Sequence, residues 1–545
     1  MGRLRILSLL LLLSSLLAIS SPLLPADEVK DRIQRFRELF DTDQVKALQA
    51  LKPVDDPRIV DVLAGIYTME DTQNHVTYDA LYMAADEVLM TAQGEAVFDR
   101  MHHYIEPSRM SRVRLHFICV LERLAHPSTL PVLLKMAPRE KDEKIQFHMV
   151  RALGNYNDDD ALIALFKLAK KSLTVNVCLE AVDALSKNRG PNATELLLKL
   201  YGGRAPGQVR GAALNALFER KYDGVDSMLK GALKDSSPFV RLAACSIAAA
   251  TGRDDLSDEI IACLSAREWQ LLSAAVRACG KLKLAKAVGP LIELWKRSSG
   301  RIEEDIHRAL LKITGKSFGP DWRYWDNWFR SLNEPVKASG KEGRYIVYHG
   351  LKTRSKNIAF VIDRSGSMAE KVKSKHSGYT GEGAVVKGDT KLAMVKAELI
   401  RVVKSLPSDA KFNIVAFDNN VMTWRKGQVP ATKKNKADAV RWVQSLTPGG
   451  STNVYDALVE AFGRLTPGGK VNTEYKTGPD TIFLLSDGLP NTGTISKPAE
   501  ILKAVRKMNR IRQVTIHTIG VGKLAQNFLK PLAEQNHGTY KLIAE

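Results

Sequence analysis

The sequence predicts a multidomain protein in which an all-α array of helical repeats precedes an α/β domain with a doubly wound sheet. Leucines recur at a constant interval in the first part, and no period-two strand pattern interrupts them. After about residue 356, short apolar runs alternate with amphipathic segments, as in a parallel sheet covered by helices. A chain of 545 residues also exceeds a single core, so separate domains are expected.

The repeat is visible in four leucines, each 32 residues from the next: Leu121, Leu153, Leu185 and Leu217. A second apolar helix follows each of the segments that carry them. This pattern resembles the short variety of HEAT repeat, which implies a stacked α-solenoid over residues 27–333. A globular helical bundle is the alternative, but a bundle gives no reason for a constant spacing.

The repeats end in an aromatic cluster between Phe318 and Phe329. One interpretation is that these rings close the apolar end of the solenoid, and the other is a platform for carbohydrate or peptide. Residues 334–355 then predict a linker, because the stretch from Asn333 to Gly343 is rich in Pro, Ser and Gly.

The last part, residues 356–545, predicts six strands and five helices. The strands are expected at 358–362, 412–417, 420–424, 481–486, 514–520 and 539–543. The helices are expected at 390–405, 434–445, 454–464, 498–509 and 525–535. In such sheets ligands bind beyond the carboxyl ends of the strands, where the strand order reverses.

Polar residues collect at those strand ends. Asp363, Ser365 and Ser367 follow the first predicted strand, Thr452 precedes a helix, and Asp487 follows the strand at 481–486. Carboxylates and hydroxyls together form an all-oxygen set, which suits a small hard cation such as Mg²⁺. A lone Ser-rich and Gly-rich run after a strand would indicate an ordinary turn, but a turn does not explain three separate segments.

These segments together resemble the metal-ion-dependent adhesion site of the von Willebrand factor A domain. The resemblance implies that Ser365, Ser367 and Thr452 ligate Mg²⁺ directly, with Mn²⁺ or Ca²⁺ as other candidates. It also implies that Asp363 and Asp487 act through coordinated waters and orient the hydroxyls. One coordination position then stays open for an Asp or Glu carboxylate of a partner protein, so the expected site binds and does not catalyse.

The segment from Glu370 to Asp389 separates the metal loop from the next helix and is long for a plain loop. It is interpreted either as a disordered excursion or as a specificity loop beside the metal.

The leading functional hypothesis is an exported, non-enzymatic binding or scaffold protein. The alternative is an accessory subunit of an assembly, chelatase or ATPase-type system, in which similar domains occur. No His or Cys cluster has zinc spacing, and no G-x-S-x-G elbow is present. A hydrolase that uses the ion as a Lewis acid would lack a general base.

The first 26 residues predict a signal peptide, since Arg3 and Arg5 precede an apolar run from Ile6 to Ile19. Export would make the protein secreted, periplasmic or attached to the cell surface, and an uncleaved anchor is the alternative. The five cysteines are odd in number and lie at apolar helical positions, so they are expected to be core thiols without a disulfide framework.

The net charge of +20 is concentrated in the α/β part. Residues 341–545 hold 33 Lys and Arg against 17 Asp and Glu. This favours acidic proteins, anionic polysaccharide or an anionic envelope surface as partners, although an ordinary solvated surface explains it too. Nucleic acid is not expected, because no binding motif is present.

Overall fold

The computed structural model describes residues 26–40, 42–69, 75–188, 190–330, 345–371, 390–463 and 478–543. It divides after Leu173 into two compact units, the second of which runs from Thr174 to the end of the chain. Among the described residues no helix is both long and apolar enough to cross a membrane. The predicted signal peptide lies outside this part of the chain.

The first unit consists of helices throughout its described part. They are α1 (Ala26–Phe40), α2 (Gln44–Gln49), α3 (Pro57–Ile66), α4 (His75–Leu89), α5 (Glu95–Tyr104), α6 (Ser111–Leu124), α7 (Thr129–Met136), α8 (Glu143–Leu153) and α9 (Asp159–Lys170). Side-chain caps begin several of them; the Asp142 carboxylate, for example, accepts from the backbone N–H groups of Lys144 and Ile145. Leu121 and Leu153 are completely buried, on α6 and α8.

The second unit begins with ten more helices of the same kind. They are α10 (Val175–Lys187), α11 (Pro191–Gly202), α12 (Gly207–Glu219), α13 (Val225–Leu233), α14 (Pro238–Thr251), α15 (Ser257–Ala262), α16 (Trp269–Lys281), α17 (Val288–Arg297), α18 (Arg301–Thr314) and α19 (Trp322–Arg330). Leu185 and Leu217 are completely buried on α10 and α12. The 32-residue spacing therefore marks equivalent core positions of successive repeats.

Small residues let these helices approach closely. A Cβ atom added to Gly280 on α16 would lie 2.9 Å from the Cα atom of Ala309 on α18. The aromatic cluster at the end of the repeats packs α19 against α17, with Trp325 completely buried between Phe318 and Trp328. All five cysteines are free, and all are buried except Cys119, which is half-buried on α6.

The α/β part contains nine strands and five helices among its described residues. The strands are β1 (Ile346–Tyr348), β2 (Leu351–Thr353), β3 (Asn357–Asp363), β4 (Lys411–Phe417), β5 (Val421–Thr423), β6 (Val429–Pro430), β7 (Thr481–Ser486), β8 (Thr515–Val521) and β9 (Tyr540–Ile543). The helices are α20 (Lys391–Ser405), α21 (Lys433–Ser445), α22 (Val454–Ala461), α23 (Pro498–Arg512) and α24 (Gln526–Gln535).

The main sheet has the order β5-β4-β3-β7-β8-β9, and β6 also pairs with β4. Strands β4, β3, β7, β8 and β9 are parallel, whereas β5 and β6 run antiparallel to β4. Two apolar layers cover its faces, one with Phe360 and Phe483, the other with Val361 and Leu484. The chain passes from β3 outward to β4 and later returns to the other side of β3, so the strand order reverses at β3 and β7.

Strands β1 and β2 form a short hairpin within residues 334–355, a stretch for which no strand was predicted. Tyr348 of this hairpin is buried against the rings of Phe360 and Phe483. The hairpin is therefore attached to the sheet through its apolar core. The proposed domain boundaries themselves stay predictions, because helices before residue 333 and strands after residue 355 share one compact unit.

Within this unit the repeats pack against the amino-terminal edge of the sheet. Arg301 of α18 donates from Nη1 to the backbone carbonyl of Asp480 (2.7 Å) and from Nη2 to that of Gln513 (3.4 Å), just before β7 and β8 begin. Lys507 of α23 pairs with Glu180 (3.1 Å) and Asp183 (2.5 Å) on α10. The carboxyl-terminal edge of the sheet is the opposite one.

Candidate metal site

The predicted site residues meet at the carboxyl-terminal edge of the sheet, at the point where the strand order reverses. Asp363 is the last residue of β3, and Asp487 directly follows the neighbouring parallel strand β7. The metal loop after Asp363 continues as a short 3-10 helix, Gly366–Ala369. The strand ends therefore bring together two carboxylates that are 124 positions apart in the sequence.

The Asp363 carboxylate is completely buried, and both of its oxygens accept hydrogen bonds. Oδ1 accepts from the backbone N–H of Ser365 (2.8 Å), and Oδ2 accepts from the hydroxyl of Ser486 (2.5 Å). The pKa of Asp363 is raised to about 6, mainly by burial and also by the nearby Asp487, although hydrogen bonds from Ser365 and Ser486 oppose the rise. The carboxylate thus holds the first turn of the metal loop in place.

Two hydroxyls connect the carboxylates. The Oγ atoms of Ser365 and Ser367 lie 3.2 Å apart, and Ser367 Oγ donates to Asp487 Oδ1 (2.8 Å). Ser365 and Asp487 are buried, while Ser367 is half-buried. Three of the predicted ligand or orienting groups therefore form a chain in which Ser367 lies within hydrogen-bonding distance of both Ser365 and Asp487.

Thr452 belongs to a loop that backbone hydrogen bonds fasten to the metal loop. The N–H of Gly366 donates to the carbonyl of Gly450 (2.9 Å), and the N–H of Gly449 donates to the carbonyl of Arg364 (2.8 Å). Thr452 is buried, and a Cβ atom added to Gly488 would lie 3.6 Å from Thr452 Oγ1. Its hydroxyl therefore faces the residue that follows Asp487.

Gly450 is required by the geometry of this loop. Its φ of +75° is a conformation that glycine adopts without steric cost, and an added Cβ atom would lie 1.9 Å from Asn419 Oδ1. Its neighbour Gly449 has no atom within 4 Å of such a Cβ. Only the second glycine of the pair is therefore essential.

The structure also adds residues that the sequence analysis missed. Arg364 pairs with the buried Asp418 at the end of β4 and donates to the carbonyl of Thr447 (2.8 Å), which supports the loop before Thr452. Asn491 Oδ1 accepts from the N–H of Thr452 (2.8 Å). Asp418 follows a strand just as Asp363 does, so the same strand-end argument could have identified it.

Lys391, the first residue of α20, is the most important addition. Its Nζ atom lies 2.6 Å from Asp487 Oδ2 and 2.8 Å from Glu370 Oε2. Burial lowers the pKa of Lys391, but hydrogen bonds to Asp487 and Glu370 outweigh this and raise its pKa above the ordinary value. The site thus contains a charged ammonium beside the carboxylate of Asp487. No spacing rule in the sequence indicated it.

The donor set fits a hard divalent cation. Its groups are hydroxyls and carboxylates at one edge of the sheet. Burial makes the negative charge of Asp363 unfavourable, and a nearby cation would offset that cost. Within the described ranges no group of three or more His, Cys, Asp or Glu side chains could hold a metal. The roles of Ser365, Ser367 and Thr452 as ligands stay predictions of the sequence motif. Residues 372–389 of the segment from Glu370 to Asp389 lie outside the described residues, so both of its interpretations, a disordered excursion and a specificity loop, stay predictions.

Comparisons with known proteins agree with this architecture. A family model for the von Willebrand factor type A domain matches residues 384–542, and one for HEAT repeats matches residues 103–175, 130–217 and 225–310. The first match begins after the metal loop, so it is the structure that joins Asp363, Ser365 and Ser367 to the matched domain.

Among the similar proteins are inter-alpha-trypsin inhibitor heavy chains. Heavy chain H3 of Mesocricetus auratus is 32% identical over 202 residues, which are 37% of this chain and 20% of the relative. Heavy chain H2 of Homo sapiens is 29% identical over 219 residues, 38% of this chain and 21% of the relative. This chain thus spans about a fifth of the length of the curated relatives it matches.

A solved von Willebrand factor type A protein from Catenulispora acidiphila is 21% identical, with a TM-score of 0.27, and the likeness covers 36% of this chain and 40% of that one. The family matches and the sheet order agree with the repeats and strands described above. The chain therefore carries HEAT repeats followed by a von Willebrand factor type A domain.

Proposed function

We propose that the α/β domain is a metal-dependent binding module and that the protein is an exported, non-enzymatic interaction protein. The observation that carries this proposal is the meeting of Asp363, Ser365, Ser367, Thr452 and Asp487 at one edge of the sheet. A protein-interaction role agrees with the family to which the domain belongs.

In the proposed site Ser365, Ser367 and Thr452 hold the ion through their hydroxyl oxygens. Asp363 and Asp487 orient these hydroxyls and accept from waters of the ion. Mg²⁺ is the proposed ion, with Mn²⁺ or Ca²⁺ as substitutes. When bound, it offers an open coordination position to an Asp or Glu carboxylate of a partner protein.

The repeats have a separate task in this proposal. The contacts of Arg301 with the domain lie before β7 and β8, at the edge of the sheet opposite to Asp363 and Asp487, and those of α10 lie on α23. They can therefore hold the domain without covering the edge at which the partner is recognised. The basic surplus of residues 341–545 favours an acidic protein partner, or an anionic polysaccharide or envelope surface.

The test measures metal affinity and partner capture on the full chain. Titration calorimetry with Mg²⁺ and Mn²⁺ is compared between the wild type, Asp363→Ala, Asp487→Ala and the double variant Ser365→Ala/Ser367→Ala. Loss of an orienting carboxylate should lower the affinity for the ion about 10- to 100-fold, and loss of both serine hydroxyls should lower it more. Ser451→Ala, beside Thr452, is the matched control and should bind as the wild type does.

Partner capture from the exported fraction should follow the same order and should be abolished by EDTA. Equal capture in Mg²⁺ and in EDTA, by every variant, would show that the metal site does not recognise the partner.

Export is proposed from the charged and apolar start of the chain. The mature protein should begin between about Ser21 and Asp27. N-terminal sequencing of the native protein decides this, and a chain that still begins at Met1 or Gly2 would contradict cleavage.

A further inference from the structure

The ammonium of Lys391 lies where a second cation would compete with a divalent ion. Asp487 is buried, and its two oxygens have different partners: Oδ1 accepts from Ser367 (2.8 Å), and Oδ2 accepts from Lys391 Nζ (2.6 Å). A buried carboxylate without a counter-charge is costly, and Lys391 supplies that charge in the structure described here.

Glu370 gives the same ammonium a second partner. Its Oε2 atom lies 2.8 Å from Lys391 Nζ, and its side chain is 65% exposed, against 1% for Asp487. The backbones of the two residues are also joined, because the N–H of Lys391 donates to the carbonyl of Glu370 (3.0 Å). Lys391 can therefore remain paired with Glu370 when Asp487 turns to another cation.

A divalent ion held by Ser365, Ser367 and Thr452 would share Asp487 with this ammonium, and the two cations would repel one another at short range. From these contacts we infer that Lys391 is a tethered cation that occupies Asp487 in the metal-free protein and competes with the divalent ion. This inference rests on the proposed metal site and goes beyond it, because it holds that Lys391, a residue outside the motif, lowers the affinity of that site for the ion.

The competition has two consequences. The protein without metal keeps a neutralised Asp487, so its fold does not depend on the ion. The site with metal carries one more positive charge than the motif alone would give, which favours an anionic partner at the open coordination position.

The test compares three single variants of the full chain by calorimetry with Mg²⁺ and with Mn²⁺. Lys391→Met removes the competing charge and should raise the affinity for the ion at least tenfold. Glu370→Gln removes the second charged partner of the Lys391 ammonium. The ammonium should then pair more strongly with Asp487, and the affinity for the ion should fall several-fold. The opposite signs separate competition from a general effect of mutation.

The matched control is Lys396→Met, on the same helix. The Nζ atom of Lys396 donates to the carbonyls of Gln444 (2.7 Å) and Leu446 (2.8 Å), and the described contacts of this side chain include no carboxylate. Its affinity for the ion should equal that of the wild type.

Thermal unfolding gives a readout that does not depend on a partner. In EDTA, Lys391→Met should have a lower Tm than the wild type, because Asp487 is left without a counter-charge, and Mg²⁺ should remove this difference.

The outcomes are distinguishable. If the wild type binds the ion and Lys391→Met binds it with equal or lower affinity, Lys391 does not compete with the ion, and the proposed metal site stands. If neither the wild type nor any variant binds an ion while all remain folded, the proposed function fails and the inference fails with it. Glu370→Gln keeps the test decisive should Lys391→Met not fold, since unchanged or tighter binding there would also refute the competition.

Discussion

Replacing Arg301 by Met tests whether the repeats stabilise the amino-terminal edge of the sheet. The Arg301 side chain is 2% exposed and pairs with the equally buried Asp305, with Nη2 3.3 Å from Oδ2. It also donates to the carbonyls of Asp480 and Gln513, just before β7 and β8. Because the variant leaves a buried carboxylate with fewer partners, we expect a loss of about 3–5 kcal/mol in the stability of this edge.

Hydrogen exchange of the full chain measures this locally, on the amides of β7 and β8. A loss of 3 kcal/mol corresponds to exchange that is roughly 100-fold faster when the amides open with the edge. The control is Arg308→Met, on the same helix. Arg308 is 42% exposed and pairs with Glu304 (3.0 Å), so its replacement should cost no more than about 1 kcal/mol.

The pH dependence of the Arg301→Met effect gives a second check. Burial raises the pKa of Asp480 to about 6, while Arg301 lowers it. A raised carboxyl pKa means that this group stabilises the fold at low pH and that the contribution is lost as the pH rises through about 6. Without Arg301 the pKa should rise further, so the deficit of the variant should be larger at pH 7 than at pH 5.

A stabilising role of Arg301 would be contradicted by unchanged exchange of β7 and β8 in Arg301→Met, or by effects of Arg301→Met and Arg308→Met that are equally small. Either result would mean that the repeats touch this edge without stabilising it.

Two further predictions concern single residues of the α/β domain. Gly450→Ala should weaken Mg²⁺ binding at least tenfold in calorimetry, because the added Cβ collides with Asn419 and displaces the loop of Thr452, whereas Gly449→Ala should bind as the wild type does. Burial lowers the pKa of His349 to about 4, so the neutral ring stabilises the fold above about pH 6.5 and this contribution is lost as the pH falls towards 4. Asn tolerates the positive φ of this position. As the pH falls from 6.5 to 4, the free energy of unfolding of His349→Asn, measured in urea, should therefore rise relative to that of the wild type by roughly 1.4 kcal/mol per pH unit. Equal pH dependence of the two proteins would contradict this role of His349.

Most of the regular elements could be predicted from the sequence because each carries a strong local signal. The strand expected at 358–362 is β3, Asn357–Asp363, and the helix expected at 390–405 is α20, Lys391–Ser405. The strands that were missed, β1, β2 and β6, have three residues or fewer, and β1 and β2 fall in the stretch that was interpreted as a linker; β5 is equally short but was predicted at 420–424. Tyr348 of β1 is buried by contacts with Phe360 and Phe483, which are distant in sequence.

The site divides in the same way. Asp363, Ser365, Ser367 and Asp487 follow strands, and the parallel pairing of β3 with β7 brings them together, so their proximity could be predicted; their role as ligands stays a prediction. Lys391 could not be predicted, because its contact with Asp487 depends on how the chain returns after the segment that follows Glu370. Local patterns give the elements, whereas contacts between distant loops depend on tertiary packing.

The two edges of the sheet separate the contacts with the repeats from the proposed metal site. Arg301 binds backbone carbonyls before β7 and β8, and such contacts depend little on the side chains of the domain. The proposed recognition at the opposite edge instead depends on individual side chains such as Ser367 and Lys391. With Mg²⁺ present, changes at Lys391 or Ser367 should therefore alter affinity for the ion and for the proposed partner while leaving the exchange of β7 and β8 as it is, and changes at Arg301 should do the reverse.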